Sequence, residues 1–188
     1  FKPGVLDYWD HLSSALETAD VPVVAAAGGA PNLDYILRST KSDDPNKRAG
    51  AFNGLAALSA AVENTSQIRE RIEAGLKDPQ ADVRFGAMMA VVEFDFEDAA
   101  PMVARSLSES RPVRGLASLV HQDAGRYGTD TKTYPLKVFA ASCIARLVDE
   151  DFGFDSFDGS VRQIDSVVER AQEYSKTQGW LKQRGEQQ

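Results

Sequence analysis

The chain has 188 residues and a mass of 20.4 kDa, the size of one domain or a short array of small repeats. Hydrophobic residues make up 43% and charged residues 26%, which supports a packed core and excludes a wholly disordered chain. Twenty-eight acids against 21 bases leave a formal net charge of −7, which argues against a generic nucleic-acid binder whose affinity comes from basic side chains on phosphates. A single cysteine, Cys143, excludes an internal disulfide and a multi-cysteine zinc site.

In chain order, Val5, Trp9, Leu12 and Leu16 fall at i, i+4, i+7 and i+11 and predict one helix face. Asp20 and Pro22 end it. The apolar run over residues 21–30 is far short of the ~20 residues of a membrane helix and contains Pro22, Gly28 and Gly29. Gly28-Gly29 lacks the spacing and the preceding strand of a nucleotide loop. No secretory signal is visible, but the chain begins at Phe1 rather than Met. That points to a start removed by processing or cloning, and the compartment stays open between cytoplasmic and periplasmic or exported. Pro31 opens a second helix carrying Leu33, Ile36 and Leu37.

Four later segments start alike: KRAGA (47–51), VRFGA (83–87), VRGLA (113–117) and LKVFA (136–140). Each has a base followed three residues later by alanine, with a proline shortly upstream: Pro45, Pro79, Pro112 and Pro135. In register, one column then reads Leu55, Val91, His121 and Ile144, and the next Leu58, Phe94, Ala124 and Leu147. Stacked helices need this arrangement, because alanine lets backbones approach and the bulkier column fills the groove between them. Repetition on this scale reads as a solenoid.

The stretch LKDPQADVRFGAMMAVVEF (76–94) resembles the second half of a HEAT repeat, in particular the PBS-lyase-type HEAT-like repeats of bacteria. It supplies the D-P-x-x-x-V-R-x-x-A signature through Asp78, Pro79, Val83, Arg84 and Ala87. DDPNKRAGA from Asp43 is a shortened copy, RPVRGLA from Arg111 lacks the Asp-Pro, and YPLKVFAASCIARL from Tyr134 has lysine for arginine. The resemblance implies a right-handed stack of antiparallel helix pairs that binds other proteins. The expected fold is therefore all-α: an α-α superhelix of about four to five helix pairs with a C-terminal capping helix, nine or ten helices in all and no sheet. It is expected as a single domain over 1–188, with a repeat core at about 31–149, a loop insertion at 123–134 and a C-terminal cap at 150–183.

The pattern strains toward its end. The bases stand at 48, 84, 114 and 137, intervals of 36, 30 and 23, and the last is too short for a full helix pair. Residues 123–134 (DAGRYGTDTKTY) have two glycines, three threonines and no apolar column, so they read as a loop. In the cap, Val161, Ile164, Val168 and Ala171 share a helix face that stops near Gly179.

Each chemically suggestive feature has a structural reading beside its functional one. The bases Arg48, Arg84, Arg114 and Lys137 form a ladder at the inner-helix starts, each bonding a carbonyl or an acid such as Asp44, Asp78 or Asp82. Anion binding in the groove is the alternative. His121 replaces an apolar column residue and borders the irregular loop with Arg126 and Tyr127, where a half-buried side chain competes with a polar binding pocket. DFGFDSFDG (151–159) sets three phenylalanines among acids and fits no EF-hand. It either pins itself over the last helix pair or offers a partner an aromatic patch with an acidic rim. Cys143 falls in a tight column opposite Gly54, Ala90 and Val120, a small buried hydrophobe rather than a nucleophile.

No catalytic, cofactor or metal constellation emerges from the sequence. The expected function is a non-catalytic scaffold that grips a protein or peptide in a concave face built from the second helices. Candidate partner-binding residues are Arg84, Arg114, His121, Arg126 and Tyr127. No nucleic-acid partner and no membrane span are expected. The alternatives are the bilin-lyase or chaperone-like activity of the PBS-lyase branch, and a structural repeat fragment of a larger protein, exported or not. A DNA-glycosylase role would need a basic groove, which the net charge opposes.

Overall fold

The structure is a computed structural model, and it describes residues 29–114, 133–157 and 160–181. The helix expected over residues 5–16 lies outside these. Among the described residues the chain is mostly helical, with seven α-helices and two three-residue strands. It divides into two compact units, Phe1–Asp95 and Phe96–Gln188.

The first unit holds α1 (Leu33–Ser39), α2 (Pro45–Leu58), α3 (Ser66–Leu76) and α4 (Ala81–Glu93). Pro31 lies in a single 3-10 turn, Ala30–Asn32, that leads into α1. Pro45 takes the first position of α2, where its missing N–H costs nothing, and the Asp44 carboxylate accepts from Asn46 N at 2.9 Å. Thr65 caps α3 in the same way, its hydroxyl accepting from Ile68 N at 3.3 Å. In the turn before α4, Asp78 Oδ1 accepts from Gln80 N at 2.9 Å.

Helix α4 packs most extensively on α2 and next on α3, while α1 packs on α2. Small residues make this possible. A Cβ on Gly86 would lie 3.0 Å from the Ala49 carbonyl oxygen and 3.1 Å from Phe52 Cβ, so α2 and α4 approach almost backbone to backbone. Ala51 and Ala87 are fully buried, as are Leu55 and Val91 of the larger column. Asn53 interrupts this apolar filling: its Oδ1 is buried without a hydrogen-bond partner.

The second unit begins with a 3-10 turn, Glu97–Ala99, running into α5 (Ala100–Ala104). Strands β1 (Pro112–Arg114) and β2 (Thr133–Pro135) follow, then α6 (Leu136–Val148) and α7 (Val161–Thr177). β1 and β2 pair antiparallel with Val113 opposite Tyr134, and both side chains are buried. This corrects two expectations: a helix does not open at Pro112, and a small sheet is present. The third copy of the repeat start lacks the Asp-Pro that would cap a helix. Its Val113-Arg114 instead pairs with Tyr134 and Thr133, which suit a strand. β2 also takes the last two residues of the stretch read as a loop.

The paired segment has a second effect. Leu136 N donates to the Arg111 carbonyl at 2.9 Å and Lys137 N to that of Glu109 at 3.0 Å. Two orphan N–H groups of α6 are thus satisfied by neighbouring backbone rather than by a capping side chain. Helix α6 packs on α5 and α7, and Gln172 Nε2 on α7 donates to the Leu107 carbonyl at 2.9 Å.

Helix α7 is capped by Ser160, whose hydroxyl accepts from Gln163 N at 3.4 Å. Its buried face runs through Val167, Val168, Ala171 and Ser175. Val161, expected on that face, is 75% exposed, because the first turn of α7 stands clear of the core. At the other end Gly179 adopts φ 72°, Gly179 N bonds the Lys176 carbonyl and Trp180 N bonds that of Ser175. That is the Schellman stop, which reverses the chain and brings Trp180 back onto the helix.

Candidate functional site

The repeated bases are the first place to look. Arg48, in the first turn of α2, forks onto the Asp78 carboxylate: Nε to Oδ2 at 2.8 Å and Nη2 to Oδ1 at 3.2 Å. Its Nη1 donates to the carbonyls of Ser42 at 2.8 Å and Asp43 at 3.0 Å. The two side chains are only 16% and 12% exposed. Arg84, the corresponding base of α4, is 9% exposed and its Nη1 donates to the Asp78 carbonyl at 2.7 Å. Asp78 therefore receives the base of one repeat copy on its carboxylate and the base of the next on its carbonyl. In the second unit, Lys137 Nζ meets Asp165 Oδ1 at 3.2 Å.

Three of the four bases thus hold an acid or a carbonyl, as the structural reading of the ladder requires. The Arg48 guanidinium, neutralised by the Asp78 carboxylate, adds little to the local potential. Arg114 has no helix-start position at all, since its backbone lies in β1 opposite Thr133. His121, Arg126 and Tyr127 lie outside the described residues. Of the five candidate partner-binding residues, the structure places Arg84, buried in α4, and Arg114, in β1.

Much of α2 and α4 is closed to solvent. Residues 50–56 of α2 are all buried, and so are residues 83–91 of α4. Two uninterrupted turns without an exposed side chain leave a helix no free face. Helices buried on all sides in this way belong inside a core.

The aromatic segment after α6 packs as the pinned reading requires. Asp149 ends α6 with φ 54°, and Phe152 and Gly153 follow at φ 48° and 94°. Asp151 fixes this turn by accepting from Gly153 N at 2.8 Å and Asp155 N at 2.7 Å. Phe157 is buried against Tyr134, with ring centroids 5.9 Å apart, and Tyr134 meets Phe139 of α6 at 6.1 Å. Phe154 lies 5.6 Å from Phe157.

A second aromatic row was not legible as a unit in the sequence. Phe152 lies 5.5 Å from Tyr174 of α7, and Tyr174 lies 5.7 Å from Trp180, the planes inclined at 60° and 67°. All three rings are half-buried. The signal that could have found the row is the glycine stop at Gly179, one residue before Trp180 and one and a half turns after Tyr174.

Cys143, fully enclosed in α6, has its thiol pushed up from 9.0 to about 12 by burial, with nearby Arg146 acting weakly in the opposite direction. It suits a packed hydrophobe and not a thiolate nucleophile. Among the described residues no group of three His, Cys, Asp or Glu side chains could hold a metal ion, and no helix is long and apolar enough to cross a membrane. No protein family, curated protein or solved structure matches the chain.

Proposed function

We propose that the chain is a HEAT-like helical-repeat protein that works as a protein-binding scaffold, with its helix pairs stacked as a superhelix. The observation that carries this reading is the Arg48–Asp78–Arg84 link. The signature residues of two consecutive copies meet, and their contacts fasten one helix start to the next. The Ala51 and Ala87 column, buried where α2 and α4 approach, supports the same stacking.

In this reading the inner helices α2 and α4 are structural, and the partner meets outward surfaces: the polar side of α3 and the cap around α7. The experiment is affinity capture with the full chain from a lysate of its source organism, followed by size-exclusion chromatography at defined stoichiometry. A protein that co-elutes with the chain at a fixed ratio supports the scaffold. Recovery of no stoichiometric protein overturns it.

A further inference from the structure

We propose that Asn53-Gly54, inside α2, is a self-modification site held unreactive by the fold, and that it permanently marks any chain whose first unit has opened. The proposal goes beyond the scaffold reading and does not depend on it.

The chemistry lies in the dipeptide. Asn53 is the one asparagine of the chain that precedes a glycine. In an open backbone the Gly54 amide nitrogen loses its proton to base and attacks the side-chain amide carbon of Asn53. The new C–N bond closes a succinimide ring, and the side-chain nitrogen takes up a proton and leaves as ammonia. Water then opens the ring at either carbonyl, giving aspartate or isoaspartate with no change of oxidation state. Glycine favours the closure, because no Cβ crowds the attacking nitrogen and its backbone is unrestricted.

The fold blocks each requirement. Helix α2 runs from Pro45 to Leu58, so both residues are interior, and both are buried. An interior helical N–H is committed to the carbonyl of the preceding turn, and helical ψ at Asn53 keeps the Gly54 nitrogen out of line with the side-chain carbon. Asn53 is 8% exposed, and its Oδ1 lies 3.4 Å from where a Gly86 Cβ would stand, in the close approach of α2 to α4. That contact must part before base and water reach the amide.

The same place decides what the product does. Asn53 Oδ1 is buried without a hydrogen-bond partner, so even a neutral oxygen is under-satisfied there. Aspartate would bring a full negative charge to a position where the amide oxygen finds no donor. Isoaspartate would also insert a methylene into the main chain and break the register of the helical bonds in the middle of α2. Because α2 and α4 make the most extensive packing of the first unit, the change falls where that unit can least absorb it.

The test uses the full, unaltered chain in mildly alkaline buffer, with and without guanidinium chloride. Conversion at each asparagine is read by peptide mass, and isoaspartate by enzymatic methylation. Asn64, exposed ahead of α3, is the internal comparison. Asn53 is expected to convert well ahead of Asn64 in denaturant, and about a hundred-fold or more slower in the native chain, since only the opened fraction reacts. Once denaturant is removed, converted chains are expected to exchange their α2 and α4 amides about thirty-fold or more faster than unconverted ones, as Asn53→Asp should. Asn53→Ala has no amide carbon to attack, and is expected to regain its own starting protection after the same incubation.

Equal conversion of Asn53 in native and denatured chains overturns the proposal. So does conversion no faster than that of Asn64 in denaturant, or recovery of the parent's protection by converted chains. A loss of protection in incubated Asn53→Ala equal to that of the incubated parent also overturns it, by assigning the damage to another residue. If Asn53→Ala does not fold, the native and denatured parent chains decide.

Discussion

Breaking the Arg48–Asp78 fork tests whether the repeat signature fastens one helix start to the next. Asp78→Asn keeps the side chain's shape and the acceptor for Gln80 N but removes the charge and one of the two oxygens that Arg48 uses. Arg48→Met keeps the stem and deletes the guanidinium, which also strands the Ser42 and Asp43 carbonyls. Removing one partner of a well-buried ion pair costs about 3–5 kcal/mol. With side chains 12–16% exposed, water can reach part of the site, and about 2–3 kcal/mol is expected for each single change. The double variant is expected to fall short of additivity by about 1–2 kcal/mol.

Because the chain has two compact units, one unfolding midpoint would mix their transitions. The readout is therefore native-state hydrogen exchange of the α2 and α4 amides, which reports opening of the first unit directly. Exchange of both helices is expected to speed up together, by about thirty-fold or more per single variant at 2 kcal/mol. A coupling energy below about 0.5 kcal/mol, or faster exchange confined to the helix carrying the change, would refute the claim that this pair joins the two helix starts.

Three further outcomes are expected. Gly75→Ala, which at an exposed helix position would gain about 1 kcal/mol, is expected to destabilise by about 1–3 kcal/mol, because its Cβ would meet the Phe52 ring and lie 2.8 Å from Ala87 Cβ. Native-state hydrogen exchange of the α3 amides checks the sign, and a stabilised variant would mean that α3 stands off α2 and α4. Gly179→Ala has nothing within 4 Å, so its expected loss of about 1 kcal/mol is wholly the strain of φ 72°; a red-shifted Trp180 emission should accompany it. The Cys143 thiol should resist alkylation at pH 8–9 until the chain unfolds. Its folded pKa is raised, so its stabilising contribution is complete below about 9 and falls as pH rises toward about 12, where the unfolded chain has released a proton that the folded chain still holds. Cys143→Ala should flatten that part of the stability–pH curve relative to the parent chain, and an unchanged slope would count against the buried thiol.

The residues that made the fold legible were those whose local chemistry acts alone. Pro45 opens α2 where a short sequence window already places a helix start, and Ala51, Ala87, Leu55 and Val91 reveal their burial by spacing. The third copy misled because its Val-Arg resembles the helix starts, while the decisive contact, Val113 with Tyr134, comes from 21 residues away. Val161 misled because periodicity describes a face but not where the packing partner ends. The aromatic row was invisible for the same reason. Phe152 and Tyr174 become neighbours only through an αL turn at a non-glycine residue, and phenylalanine carries no sequence mark for positive φ.

The buried inner helices bear on where binding can occur. A solenoid that grips a ligand in its groove must leave polar or aromatic side chains of the second helices in water, and α2 and α4 do not over residues 50–56 and 83–91. Their bases follow the same logic: Arg48 and Arg84 spend their donors on Asp78 and nearby carbonyls, where desolvation makes each bond costly to break. The ladder is therefore a fastening, and mutating it should alter stability first and binding only through stability. Recognition needs side chains that gain a partner on binding instead of losing one.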